Sequence, residues 1–437
     1  MLSRRTLLAR TAALLTAGGA GALPAFAAPT PPDATRADRV RWIAANAAPL
    51  RTIDMADDDV SDLEPLRQAI GDARIVLLGE QNHGDGTTFI AKSRLVRFLH
   101  EHMDFDVLAF ESGLYDMPQV WKRIQAGEAA PTAARNGLYR IWSQSAEIQP
   151  LLQYVDKRAR SSRPLELTGF DCKFTNQGSA HAVDDLAAVL AKSGIDTAAV
   201  AGWPQFRAVM ENLTDGSKLG EWKPSAEEHQ LVSTVADDLM ARLAPVRTSD
   251  ADYWRQILKS TKTHSEFVLH IDVNALTTAD MVRRDAGMGD NLVWLARNRY
   301  PQRKIIVWAA TFHNIRNIRL MLGHMKDKRF MGDFVWEAFG EQTYNIGFTT
   351  YEGARGWFNQ QERPIPPADP DSLEGLWGAT GQTTAFLDLR RPAAGGEWLN
   401  DPIETSLLED PVVMYWRKAL DAAIMLRTMH RANAVDV

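Results

Sequence analysis

A chain of 437 residues, 45% hydrophobic and 24% charged, has enough apolar material for one large core or two modest ones. A formal charge of −6 with no basic run argues against a nucleic-acid surface. No run of 18 or more apolar residues occurs, so no membrane-spanning helix is predicted.

The first stretch reads as a targeting segment. Ser3-Arg4-Arg5-Thr6-Leu7-Leu8 resembles a twin-arginine export signal, and an Ala/Gly-rich stretch runs from Thr11 to Leu23. Ala25-Phe26-Ala27 offers a small-x-small cleavage site. Residues 1–27 are therefore expected to export the protein to the periplasm or beyond. The bland alternative is a general secretory signal with two arginines by chance. Pro29 to Thr35 reads as a flexible polar leader, and the folded domain is expected over 38–437.

Short helices are predicted over 39–48 and 63–69. Ile75–Leu78 and Val107–Phe110 have the length and content of buried strands. Between them, Phe89, Leu95, Val96, Phe98 and Leu99 are spaced as the apolar face of a helix. Strand, helix and strand in about forty residues form a βαβ unit, which predicts two parallel neighbouring strands. Glu80 follows the first strand and Glu111 the second. His83 lies in the loop that opens the helix.

Helices follow over 117–125, 138–143 and 148–159. Leu165–Phe170 is a third strand candidate and ends in Asp171. Cys172 is the only cysteine, so no intramolecular disulfide is possible. A nucleophilic cysteine needs a paired base, and none is marked locally. The expected role is a small core residue. Residues 180–300 carry helical patterns over 182–192, 229–243, 253–270 and 280–299. They read as a helical insertion, with plain crossover helices as the alternative. Ile305–Ala309 resumes the sheet and runs into His313-Asn314. Tyr344–Thr349, Thr384–Leu389 and Ala422–Leu426 are later strand candidates. Gly356–Gly381 reads as a long ordered loop. The fold class is α/β, with a mostly parallel central sheet flanked by helices.

Ligands of parallel sheets bind beyond the carboxyl ends of the strands. Glu80 with His83, Glu111, Asp171 and His313 all fall at such ends. One such placement is common, and four together point to chemistry. The other eight histidines, such as His100, His102 and His324, fall on helices or loops and are expected to be mostly solvated. There is no G-x-S-x-G elbow, no G-x-G-x-x-G or Walker loop, and no H-E-x-x-H. An imidazole among carboxylates suits hydrolysis by activated water, without a covalent intermediate. His313 would bind the developing oxyanion or protonate the leaving group. A divalent ion held by the same groups is the rival reading, and the residues leave both open. A third is a non-enzymatic exported protein that binds a ligand or haem, supported only by the 13 tryptophans and the 356–381 loop.

The stretch G-E-Q-N-H-G, a helix and then V-L-A-F-E resembles the erythromycin esterase family. Gly169-Phe170-Asp171, then Arg284-Asp285 with Met288 and Asn291, match in order. So do Val307-Trp308-Ala309 with His313, Asp388-Leu389-Arg390 and Asp421-Ala422. The resemblance implies an α/β core with a helical lobe and water-mediated opening of a macrolactone ester. It assigns His83 as general base, with Glu80 and Glu111 orienting it and the water, and His313 as a second imidazole. Lys92, Asp171 and Arg284 are the expected substrate contacts, although a helix charge such as Lys92 is usually just solvated. The sequence departs from the family's H-N-x-H at Ala310 and Thr311. A second register sets His313-Asn314 on its H-N and Arg316 on its second His. Thr87 stands where an acid is usual. The partner implied is a small-molecule ester, with no cofactor expected and a divalent metal as the alternative.

Overall fold

The computed structural model of the chain describes residues 35–174, 177–218, 220–272, 275, 277–320 and 328–435. The expected export signal over 1–27 and His324 lie outside these residues.

The strands are β1 (Ala48–Pro49), β2 (Ile75–Leu78), β3 (Phe105–Gly113), β4 (Glu166–Asp171), β5 (Lys304–Trp308) and β6 (Thr343–Arg355). After them come β7 (Arg363–Ile365), β8 (Thr384–Asp388), β9 (Ile403–Leu408), β10 (Asp410–Met414) and β11 (Ala422–Met429). The chain divides into two compact units. One holds Ala109–Tyr139 and Glu166–Arg303. The other holds 35–108, 140–165 and 304–435. Strand β3 starts in the second and ends in the first.

In the second unit the strand order is β1-β8-β11-β6-β2-β5-β3, with β7 on β6. Strand β11 runs parallel to β6, β6 to β2, and β2 to β5. Strand β8 is antiparallel to β11, and β1 to β8. All four residues of β2 are buried, as are Ile305, Ile306, Val307 and Trp308 of β5. Burial on both faces is why these strands read as unbroken apolar runs. The Gly86–Met103 helix follows β2 and stops at Asp104, whose φ of +61° is a left-handed cap that aspartate tolerates. Strands β9 and β10 form an antiparallel hairpin.

Strands β2 and β3 are not the direct neighbours that the βαβ pattern suggested. Strand β5 lies between them. A crossover helix fixes the direction of the next strand but leaves room for a later one to slot in. The apolar β5 needs two covered faces and takes that central place. Two other expectations change in extent. Strand β6 runs on to Arg355, and the 356–381 stretch contains β7 and the Leu373–Gly378 helix.

In the first unit, the carboxyl half of β3 lies beside β4. The helices Ala182–Lys192, Trp203–Leu213, Ala226–Leu243, Ser249–His270 and Thr278–Trp294 make up most of the remainder. Their starts are written in the sequence. Ser225 with Glu228, and Thr277 with Asp280, form capping boxes, and Thr248 caps the Ser249–His270 helix. The last helix ends in a π-turn over Leu295–Arg299, before Pro301.

Ile306 is fully buried in the middle of β5. Ile306→Ala is expected to cost about 2–5 kcal/mol, read as a lower urea midpoint. Val413→Ala, at an exposed site on β10, should change it by less than about 0.5 kcal/mol. Equal midpoints for the two variants would contradict this account of the core.

Candidate active site

The turn after β2 places Glu80 out of solvent contact. Its carboxylate is divided between two partners. Oε2 accepts from the Lys92 ammonium at 2.7 Å, and Oε1 lies 2.8 Å from Nδ1 of His83. The Trp142 indole N–H also donates to Oε1, at 3.2 Å. Lys92 is itself fully buried. Its ammonium sits 4.1 Å from the centre of the Trp308 ring and 3.4 Å from the Ala309 carbonyl. Lys92 is therefore neither solvated nor on an exposed helix face, as a substrate contact would be. It is the counter-charge of Glu80. The sequence held a signal for this: Lys92 lies three residues after Phe89 and four before Val96, on the helix's apolar stripe. A charge there must be buried and must have a partner.

The His83 side chain keeps 22% of its surface exposed. With Glu80 accepting at Nδ1, the proton belongs on Nδ1, and Nε2 presents its lone pair. The ring stands edge-on to Trp142, with centroids 5.3 Å apart. Sequence reasoning missed Trp142, because one tryptophan on a short helix carries no mark of a hydrogen-bonding duty. The loop is tight on both sides of His83. The Asn82 N–H donates to Asp85 Oδ2 at 2.9 Å, and the Gly84 N–H donates to Asn82 Oδ1 at 3.0 Å. A Cβ on Gly84 would strike the backbone of Gly356 and Trp357, so only glycine fits there. Asp85 is completely buried, and burial pushes its carboxyl up to about 7 against the pull of the Arg355 guanidinium.

His313 lies on the short Thr311–Asn314 helix after β5 and is 7% exposed. The Thr311 N–H donates to the Glu80 carbonyl at 2.9 Å. In the β2–β5 pair Leu78 stands opposite Trp308. The turns carrying Glu80 and His313 thus leave the same end of two paired strands. Arg316, at the family's second His position in the alternative register, is committed to Asp421, with Nη2 to Oδ1 at 2.7 Å. Asp421 also receives the Arg390 side chain at 2.9 Å.

Glu111, Asp171 and Arg284 belong to the other unit. Glu111 lies within β3 rather than after it, since the strand continues to Gly113. Nη2 of Arg284 reaches Glu111 Oε1 and Asp171 Oδ2, each at 2.7 Å. Tyr139 donates its hydroxyl to the same Asp171 oxygen at 2.9 Å. Burial would raise the Asp171 carboxyl, but the Arg284 guanidinium and the Lys173 ammonium outweigh it and hold it down at about 2. Asp171 is completely buried. These two expected substrate contacts, Asp171 and Arg284, are therefore partners of each other. Met288 and Asn291 continue the inner face of the Arg284 helix, and Asn291 donates to the Phe170 carbonyl at 3.0 Å. Cys172 is buried against Gly287, and burial pushes its thiol up.

Two histidines expected in solvent are buried. Nδ1 of His100 contacts the Tyr154 hydroxyl at 2.6 Å. His264 contacts the Leu213 carbonyl, and burial drives its imidazole down to about 4. Among the described residues, no group of three or more His, Cys, Asp or Glu is placed to hold a metal ion. Among them, no helix is long and apolar enough to cross a membrane.

The family model for erythromycin esterase matches residues 100–429, which include Glu111, Asp171, Arg284 and His313. The chain belongs to the erythromycin esterase family. Membership makes it an ester-hydrolysing enzyme. It is 26% identical to YbfO of Bacillus subtilis (strain 168) over 391 residues, covering 83% of this chain and 84% of that one. It is 22% identical to erythromycin esterase type II of Escherichia coli, covering 80% and 88%. Among solved structures, a succinoglycan biosynthesis protein superposes with a TM-score of 0.74 at 18% identity, over 91% of this chain and 98% of that one. A mutant of the erythromycin esterase EreC, in its open conformation, gives 0.66 at 20% identity, over 90% and 100%. These structures share the α/β fold.

The Asp85 carboxyl gives the site a pH signature. Its folded pKa of about 7 lies above the ordinary 3.8, so its share of stability is full below about 4 and is lost as pH rises through 7. Asp85→Asn removes that dependence. The variant's stability relative to the parent is expected to improve by on the order of 2 kcal/mol between pH 5 and pH 8, in urea titrations. A difference that does not vary with pH would contradict it.

Proposed function

We propose that this erythromycin esterase family member opens a carboxylic ester, a macrolactone among the candidates, by water that His83 activates. The observation that carries the reading is the Glu80–His83 contact at 2.8 Å, with Glu80 anchored from behind by Lys92. Nε2 of His83 takes a proton from water, and the hydroxide adds to the ester carbonyl carbon. The imidazolium then rests against Glu80, as in hydrolytic triads. Collapse of the tetrahedral intermediate breaks the carbon–oxygen bond. The alcohol leaves with a proton from His83, and the acid remains. His313 supports the developing oxyanion or the leaving oxygen. The family resemblance adds Glu111, which Arg284 holds. The macrolide relatives motivate the macrolactone class, while Ala310, Thr311 and Thr87 replace polar groups that the family usually carries.

The purified protein would be assayed on macrolides and simple aryl esters, with and without chelator. His83→Ala is expected to lower kcat/KM by about 10²–10⁴-fold, with the fold checked by circular dichroism. Chelation should leave the parent's rate unchanged. Full activity in His83→Ala would falsify the reading, and loss on chelation restored by a divalent ion would replace it with a metal-dependent one.

We also propose that residues 1–27 export the protein by the twin-arginine route, on the strength of Arg4-Arg5 and the Ala25-Phe26-Ala27 site. Replacing both arginines by lysine should hold the full-length protein in the cytoplasm, as seen on cell fractionation. Unchanged export would point to the general secretory route.

A further inference from the structure

We infer that Glu409 is a positioning residue for His83, acting through the side-chain amide of Asn82. The inference rests on the role given to His83 above. Glu409 occupies the turn between β9 and β10, more than three hundred residues after His83 in the chain. Its φ is +82°. The other non-glycine residues with positive φ among those described are Asp104 and Asn317. Aspartate and asparagine enter this region readily, and glutamate does not. A glycine would relieve the backbone, yet the position holds a buried carboxylate.

That carboxylate has a defined task. Oε2 accepts from the Asn82 side-chain amide at 2.9 Å, and Oε1 accepts from Arg363 at 2.6 Å. Arg355 donates to the Glu409 backbone carbonyl at 3.0 Å and holds the turn itself. An ionised carboxylate only accepts, so it draws the NH₂ end of Asn82 toward itself. The Asn82 oxygen is then left facing the other way, where the Gly84 N–H donates to it at 3.0 Å. The Asn82 carbonyl accepts from the Asp85 N–H at 3.2 Å. Residues 82, 84 and 85 are thus tied together around His83. Glu409 sets the direction of the amide that ties them, and so holds the imidazole against Glu80. No contact of Glu409 with substrate is required.

The test is a double-mutant cycle in the full chain, read as kcat and KM on an aryl ester that the parent hydrolyses. Glu409→Ala keeps the strained backbone but removes the acceptor. Asn82→Ala removes the amide. Each is expected to lower kcat by ~10–100-fold, with KM within about twofold. The double variant should be no slower than the worse single, because both changes cut one connection. Glu409→Gln, which still offers an acceptor, should recover most of the loss. If Glu409→Ala does not fold, Asn82→Asp serves instead. It sets an acceptor against Glu409 and should be slower than Asn82→Ala. An inactive His83→Ala beside a Glu409→Ala within twofold of the parent overturns this inference alone. So do multiplicative losses in the double variant, or Asn82→Asp at parental rate. A fully active His83→Ala removes the reading on which it rests.

Discussion

Two opposite charges held out of water govern the geometry around His83. Burying an ion costs several kcal/mol even after relaxation, so Glu80 and Lys92 persist only as a pair with further polar support. Trp142, the face of Trp308 and the Ala309 carbonyl supply that support. The pair's asymmetry matters more than its strength. Lysine is a compact donor, and it occupies one oxygen of Glu80. An arginine would tend to take both, leaving His83 to compete. With one oxygen committed to Lys92, the other fixes the imidazole's proton on Nδ1.

The opposite choice appears in the other unit. There Arg284 serves two carboxylates, its planar fork reaching Glu111 and Asp171 together, with the Lys173 ammonium 3.7 Å from Asp171 as a second, looser partner. Asp421 shows the reverse ratio, with one carboxylate between Arg316 and Arg390. In each case the guanidinium suits a division of hydrogen bonds that an ammonium would serve less well.

Much of this was legible in the residues, and the limits have physical causes. Strands β2 and β5 announced themselves because burial on both faces demands unbroken apolar runs. Their order in the sheet did not, since a crossover fixes direction and not adjacency. The β9–β10 hairpin went unread because Thr405 occupies a buried site and Pro411 interrupts the second strand. Glu80, His83, Glu111 and His313 were singled out as candidates from apparent strand ends, although Glu111 lies inside β3, which continues to Gly113. Their partners were harder. Lys92 was expected among the substrate contacts, although its place on the apolar stripe implied a buried partner, which is Glu80. Trp142 and Glu409 act through hydrogen bonds that cross about sixty and over three hundred residues of chain, and local pattern carries no trace of such pairings.

The buried Cys172 has a consequence for handling and habitat. Its thiol is shut away beside Gly287, and burial disfavours the thiolate that alkylating and oxidising agents attack. The folded chain has no second sulfhydryl with which to cross-link internally. Passage between reducing and oxidising surroundings therefore leaves its internal covalent connectivity unaltered, and thiol reagents should find nothing to modify until the fold opens.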